Sequence, residues 1–235
     1  MPDLRPSLAT TAFKTFNRAR VRGPAEVWGE WWSVFRQAVR SRDELLMLVR
    51  STEGAELEAG TRSGLEVRRA TTREARAYAA QIGTDSPKTF AGRLSDDTGC
   101  FLVLEDDAIL HASWVTRTGA WAREIRAYIC PPPGDAYVYE SFTVSKARGR
   151  GVYPYALGHI VAEMGRSGVN NVWVAVEAGN QASRRAIAKA GFEVAYEISY
   201  RRDLGRFRTT GPSGPRASEA AKMLRGTVQT KQAKL

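Results

Sequence analysis

Hydrophobic positions along the chain recur with two periods, and the order in which those periods alternate outlines a mixed α/β fold. Between residues 25 and 40, Trp28, Trp31, Trp32, Phe35, Ala38 and Val39 form one stripe at helical spacing, with Glu26, Glu30, Ser33 and Gln37 off it. Residues 45–50 read as a short buried strand, and 51–64, which carry Glu and Gly, as a linker. A strand over 65–69 follows, then a helix from a Thr72 cap to Gln81, and a shorter helix opened by Ser86-Pro87 and ending near Leu94. Two apolar runs, 100–105 and 108–116, flank Asp106-Asp107 and predict a hairpin, and 123–129 predict another strand stopped by Pro131-Pro132-Pro133-Gly134.

The C-terminal half has the more regular pattern. A strand over 136–144 leads into the turn Arg148-Gly149-Arg150-Gly151, then a helix over 153–165 with Leu157, Ile160, Val161 and Met164 on its apolar face. Residues 172–176 form an apolar run without alternation, the mark of a strand covered on both sides. Asn180 caps a helix that buries Ser183, Ala186, Ile187 and Ala190 and stops at Gly191, and 192–200 form the last strand. Strand, helix, strand in this order predicts a parallel pair with a right-handed crossover.

Composition adds bounds. With 43% hydrophobic and 26% charged residues, the chain has the profile of a globular protein. No apolar run approaches membrane-spanning length, the start lacks the apolar stretch of a secretory signal, and the two cysteines, Cys100 and Cys130, suggest neither a disulfide framework nor a zinc site, so a reduced, cytoplasmic protein without a metal is expected. The formal charge of +10 suggests nucleic acid until it is located. It sits in residues 1–24 and 205–235, which carry +4 and +6, while 25–204 are neutral. No specific nucleic-acid partner is therefore expected. The expected organisation is a mobile basic leader (1–24), a helical extension and linker (25–64), a folded α/β domain (65–204) and a flexible basic tail (205–235).

A glycine-bearing turn that opens a helix presents several N–H groups at the positive end of the helix dipole, a cradle for phosphate. Here neither a Gly-Lys-Ser/Thr sequence nor a third glycine follows, which excludes a nucleotide P-loop and a dinucleotide fingerprint.

Three motifs occur in register: Phe142-Thr143-Val144, Arg148-Gly149-Arg150-Gly151-Val152-Tyr153, and Asn180-Gln181-Ala182-Ser183 closing with Lys189-Ala190-Gly191-Phe192. Together they resemble the GNAT superfamily of acetyl-CoA-dependent N-acetyltransferases. The resemblance implies a mostly antiparallel sheet with one splayed parallel strand pair, flanked by helices. It also implies acetyl-CoA as co-substrate, with its diphosphate on the amides of Arg148, Gly149, Arg150, Gly151, Val152 and Tyr153. The pantetheine arm would pair with the backbone of Phe142, Thr143 and Val144 and meet Asn180 and Ser183 on the other side. Two departures stand out. Tyr153 replaces a small residue, and Ile187 occupies the place where many members carry a tyrosine that protonates the departing thiolate.

For the chemistry, strand alternation puts Glu140 between apolar Val138 and Phe142, where desolvation would raise its pKa and make it a general base; a structural Glu paired with an arginine is the competing reading. A bulge in this strand would turn Glu140 to the other face. The polarising donor is expected as a backbone N–H near Val144. Trp114 and Tyr139 are candidates for lining an acceptor pocket, Glu177 reads as a loop or capping charge, and His111 as a core histidine. The expected activity is transfer of a short acyl group to a primary amine of a small molecule, such as an amino sugar, or of a protein; the alternative is a silent CoA-binding scaffold. A homodimer is compatible with this reading.

Overall fold

The computed structural model describes residues 40–55, 62–203 and 206–225. The leader, the tryptophan stripe up to residue 39 and residues 226–235 lie outside the described residues. In chain order the strands are β1 (Arg40–Ser51), β2 (Glu66–Arg69), β3 (Thr98–Glu105), β4 (Ala108–Thr116), β5 (Ala120–Ala122), β6 (Ala127–Ile129), β7 (Ala136–Thr143), β8 (Asn171–Glu177), β9 (Glu193–Asp203), β10 (Arg206–Ser213) and β11 (Leu224–Arg225). The helices are α1 (Ala75–Gln81), α2 (Pro87–Arg93), α3 (Val152–Arg166), α4 (Gln181–Lys189) and α5 (Ala217–Met223).

Eight strands form one sheet in the order β10-β9-β1-β8-β7-β4-β3-β2, and β11-β6-β5 form a small second sheet. Every pairing among the described residues is antiparallel except β7 with β8. Local chemistry sets several boundaries as the sequence predicts. Ser86 caps α2 with Pro87 in its first turn, and Asp106 and Asp107 both take positive φ in the β3–β4 turn. The cap before α1 is Thr71 rather than Thr72; it forms a capping box with Glu74 around a 3-10 turn.

The sheet separates two layers. On one face α3 and α4 bury Leu157, Ile160, Val161, Met164 and Ile187 against Leu46, Val138, Val174 and Val176. On the other, α1 and α2 cover Leu102, Ala112 and Trp114 with Tyr78 and Phe90, while α5 and the small sheet cover Met47, Tyr137, Trp173 and Tyr196.

The sheet extends past the expected 65–204 limits in both directions. The run expected as a short buried strand at 45–50, ahead of the domain, belongs to the twelve-residue β1, seated between β8 and β9. Leu45, Leu46, Met47 and Leu48 are all buried, as a strand covered on both faces requires. The tail expected to be flexible pairs over 206–213 with β9 and then forms α5, where Ala220 and Met223 are fully buried. Gly214 shows why its neighbourhood is rich in Gly and Pro: at φ +129°, a Cβ there would lie 2.9 Å from the Tyr196 backbone. The glycine permits close approach of two chain segments and does not mark a flexible one. Arg216 then lies over the Trp173 ring at 4.8 Å and pairs with Glu219.

Candidate active site

The parallel pair β7–β8 holds for three residues, Ala136–Val138 against Val172–Val174. Its closed end is fixed by Asp135, a buried carboxylate that accepts from the Asn171 backbone N–H (3.1 Å), Asn171 Nδ2 (3.0 Å) and Trp173 Nε1 (2.7 Å). Beyond Val138 the two strands no longer pair. Glu140 and Ser141 together face Ser113 of β4 in a bulge, with Glu140 at φ +47°. The Val144 N–H donates to the Leu110 carbonyl at 2.9 Å, so the opposed Thr143 and His111 form a non-hydrogen-bonded pair. Thr143 therefore presents its own N–H and C=O to the gap.

This register corrects two expectations. Phe142, opposite Ala112, turns its main chain to β4, and the Val144 N–H is engaged by Leu110, so neither presents its N–H to the gap, and the donor expected near Val144 is left to the neighbouring Thr143. The extra residue of the bulge moves the available main-chain groups by one position, onto Thr143 and the bulge itself.

At the open end, Gly149 (φ +77°) and Gly151 (φ +71°) adopt left-handed conformations. Among the described residues no acceptor meets the N–H groups of Gly149, Gly151, Val152 and Tyr153. A Cβ on Gly149 would touch nothing within 4 Å. Four amides without an acceptor among the described residues, at the start of a fifteen-residue helix and beside the open space at Gly149, fit an anionic diphosphate. The turn is held from behind. Arg62 donates to the carbonyls of Arg150 (3.0 Å) and Gly151 (3.4 Å), and both terminal nitrogens of Arg150 hold Glu105. Arg148 lies over the Phe142 ring at 5.9 Å and donates from Nε to the Thr143 carbonyl at 3.3 Å. Across the gap, Asn180 Oδ1 accepts from the Ser183 N–H at 3.1 Å as the cap of α4. Ile187 is fully buried in the core.

Behind the bulge, on the α3 face, runs a chain of polar groups. Thr143 Oγ1 meets His111 Nδ1 at 2.7 Å, His111 Nε2 meets Ser113 Oγ at 2.7 Å, and Ser113 meets Ser141 Oγ at 2.7 Å. The Tyr153 hydroxyl joins at Ser141, and its ring stacks on His111 at 5.1 Å. Burial lowers the His111 pKa to about 3, so the imidazole is neutral, and burial raises the Tyr153 phenol to about 12. With every member neutral, the five groups carry five polar hydrogens and share four hydrogen bonds. One hydroxyl hydrogen is left over, and the tautomer of His111 and the direction of the chain decide which of the four hydroxyls carries it. The core-histidine reading of His111 is thus the one its surroundings support.

The opposite face collects charge. Arg93 of α2 stacks on Trp114 (3.8 Å), donates to Glu140 Oε2 (2.8 Å) and pairs with the buried Asp85. Burial works against the Arg93 charge, but Glu140 and Asp85 more than reverse it and keep the guanidinium ionised. The Glu140 side chain is 39% exposed, so it is not the desolvated carboxylate that simple alternation implies; past the bulge that alternation no longer applies. Trp114 is fully buried with its Nε1 on the Tyr78 hydroxyl, which makes it a platform under Arg93 and removes it from any acceptor pocket. Tyr139 is half-buried beside Arg93 and stacked on Tyr137. One group carried more than its sequence context suggested. Glu177 ends β8 at the level of the bulge and accepts from the Tyr200 hydroxyl at 2.8 Å, so carboxylates reach this face from both walls of the gap. Only the long-range pairing of β9 with β1 and β1 with β8 brings Tyr200 there.

Comparison with known proteins places this geometry. No curated protein matches the chain. Among solved structures it resembles a GCN5-related N-acetyltransferase from Kribbella flavida (18% identity, TM-score 0.52, covering 78% of this chain and 65% of that one). It also resembles one from Sphaerobacter thermophilus (14%, 0.50, 78% and 58%) and a GCN5-related N-acetyltransferase-like protein from Streptococcus suis (9%, 0.50, 75% and 68%). The chain thus spans about three fifths to two thirds of their lengths, and at these identities the likeness shows the fold. No helix among the described residues is long and apolar enough to cross a membrane. Residues 68–192 match the Acetyltransferase (GNAT) family, from β2 through the bulged strand, the glycine turn and the capped helix α4, and the chain belongs to that family.

Proposed function

We propose that the protein transfers an acetyl or other short acyl group from acyl-CoA to a primary amine by direct attack. The observation that carries this reading is the conjunction at one gap of a splayed parallel pair, a bulge and an amide cradle open at Gly149. The amides of Gly149, Gly151, Val152 and Tyr153 hold the diphosphate, and the main chain of Thr143 pairs with the amide-bearing pantetheine arm. Asn180 and Ser183 form the far wall. Acyl-CoA supplies the activated thioester carbonyl; the chain's own residues orient it and manage protons.

The acceptor amine enters from the face that carries Glu140 and Glu177. An ammonium group is favoured there by two carboxylates, and the ionised Glu140, held by Arg93, accepts the proton that must leave before attack. Tyr139 borders this entry. Since Ile187 carries no proton, the hydroxyl of Tyr153, at one end of the buried chain, is the group we assign to donate one on the opposite face.

The test is single-turnover consumption of acetyl-CoA with a pool of amino sugars, polyamines and peptide amines, read as thiol release and product mass. Thiol release that depends on an amine supports the reading, and Glu140→Gln is expected to lower it roughly a hundredfold with little change in CoA affinity. Saturable CoA binding without thiol release for any amine would instead identify a CoA-binding scaffold.

A further inference from the structure

We infer that His111 is a positioning residue: its Nε2–H tautomer directs the buried hydrogen-bond chain towards Tyr153, so that the surplus hydrogen lies on the Tyr153 hydroxyl at the gap. The kinetic consequence rests on the acyl-CoA reading above; the tautomer does not.

The chain runs from Thr143 through His111, Ser113 and Ser141 to Tyr153, and its first three contacts are each 2.7 Å long. Every hydroxyl in it can rotate, so each can donate either way. The neutral imidazole cannot, because its donor and its acceptor are different ring atoms. With the hydrogen on Nδ1, the ring donates to Thr143 and accepts from Ser113. Ser141 must then donate to Ser113, and Tyr153 to Ser141. That order spends the Tyr153 hydrogen inward and leaves the surplus on Thr143. With the hydrogen on Nε2, Thr143 is committed to Nδ1, and the surplus moves past the ring to Ser113, Ser141 or Tyr153.

The surroundings select the second tautomer and, within it, Tyr153. Arg148 Nε donates to the Thr143 carbonyl at 3.3 Å and so brings a positive charge to that end, where outward oxygen lone pairs are favoured over a hydrogen. Ser113 is fully buried, and a surplus hydrogen there would be a donor without an acceptor. Burial raises the Tyr153 pKa, and the bond with Ser141 works against that rise, as a hydrogen donated by Ser141 does. The Tyr153 ring packs against the cluster of Val138, Val174 and Val176, where the β7–β8 pairing ends, so its surplus hydrogen lies at the gap.

There Tyr153 meets the departing sulfur as the C–S bond breaks. Its O–H bond is exchanged for an S–H bond, and the charge passes to an oxygen that already accepts from Ser141. Tyr153 is the second residue of α3, whose dipole favours that charge, and solvent water returns the proton after release. His111 touches none of the reacting atoms; it acts through Ser113 and Ser141.

Nitrogen NMR of protein carrying labelled histidine reads the tautomer directly, with His159→Gln used to assign the two imidazoles. The expected result at pH 7, without ligand, is a neutral His111 protonated at Nε2; protonation at Nδ1 overturns the inference. Turnover of acetyl-CoA with an amine that supports thiol release supplies the second readout. His111→Leu is expected to lower kcat roughly tenfold with KM for acetyl-CoA within about twofold. His111→Gln, whose amide accepts from Thr143 and donates to Ser113, is expected to restore kcat to within about threefold of wild type. Equal losses in the two variants, or no loss in His111→Leu, also overturn the inference. Absence of thiol release from the wild type with every amine strikes the acyl-transfer reading instead, and the tautomer is still decided by the spectrum.

Discussion

The two ends of the β7–β8 pair are three residues apart along the strands and opposite in character. At the closed end every strong hydrogen-bonding group is matched: Asp135 alone answers three donors from the first residues of β8, and Val172 and Trp173 are completely buried. At the open end the N–H groups of Gly149, Gly151, Val152 and Tyr153 meet no acceptor among the described residues, two glycines hold left-handed conformations, and Glu140, a bulky charged residue, is kept at positive φ. Such a conformation costs on the order of 1–2 kcal/mol for a residue with a Cβ. Unmatched groups and strain at one end are tolerable because the other end is over-determined. The comparison teaches that the clamp creates the gap: two parallel strands diverge usefully only if they are firmly joined where they begin.

The largest expected effect lies at the clamp. Asp135→Ala leaves the Trp173 Nε1–H and two Asn171 donors facing each other in the core, and should lower stability by about 3 kcal/mol. Chemical denaturation reads this directly. If CoA affinity were to fall while stability held, the closed end would have to be assigned a binding role and the division would fail.

The converse substitution is Gly149→Glu. Its Cβ enters open space, so the fold should lose only about 1–2 kcal/mol for the left-handed backbone. A carboxylate planted among the amides should weaken CoA binding on the order of a hundredfold, measured by calorimetry. Gly151 is a poorer probe, since a Cβ there would meet Arg62 at 3.1 Å and disturb the support of the turn as well as its mouth. Unchanged CoA affinity in Gly149→Glu would remove the cradle from the site.

Much of this division is legible in the amino-acid order. The glycine turn, the capped helix at Asn180 and the unalternated run of β8 are local signals, and each describes its own element correctly. What escapes is non-local. Leu45–Leu48 announce a doubly covered strand, but nothing nearby says that its neighbours are β8 and β9, more than a hundred residues away. The bulge is the sharper case. One residue added opposite Ser113 reverses the faces of everything after it, which takes Glu140 out of its supposed apolar row and exchanges Val144 for Thr143 at the gap. Trp114 and Tyr139 illustrate the same limit for aromatics, since adjacent places in the sheet leave one sealed beneath Arg93 and the other half-open beside it.

The smallest effect, and the one that separates support from chemistry at the open end, concerns His111. Its folded pKa lies near 3, below the ordinary value of 6.5, because burial disfavours the imidazolium. Between these values the unfolded chain takes up a proton that the folded one refuses. Stability from this residue is therefore fully present above pH 6.5 and is lost as pH falls towards 3, with a slope of about 1.4 kcal/mol per pH unit. His111→Gln, which can still bridge Thr143 and Ser113 but does not titrate, should flatten that slope in denaturation curves taken from pH 7 to pH 4. Its effect on CoA affinity should be no more than about twofold, because the chain lies behind the bulge and not in the cradle. A slope unchanged by the substitution would mean that the imidazole is not the neutral bridge between the two hydroxyls, and the count of one surplus hydroxyl hydrogen would fall with it.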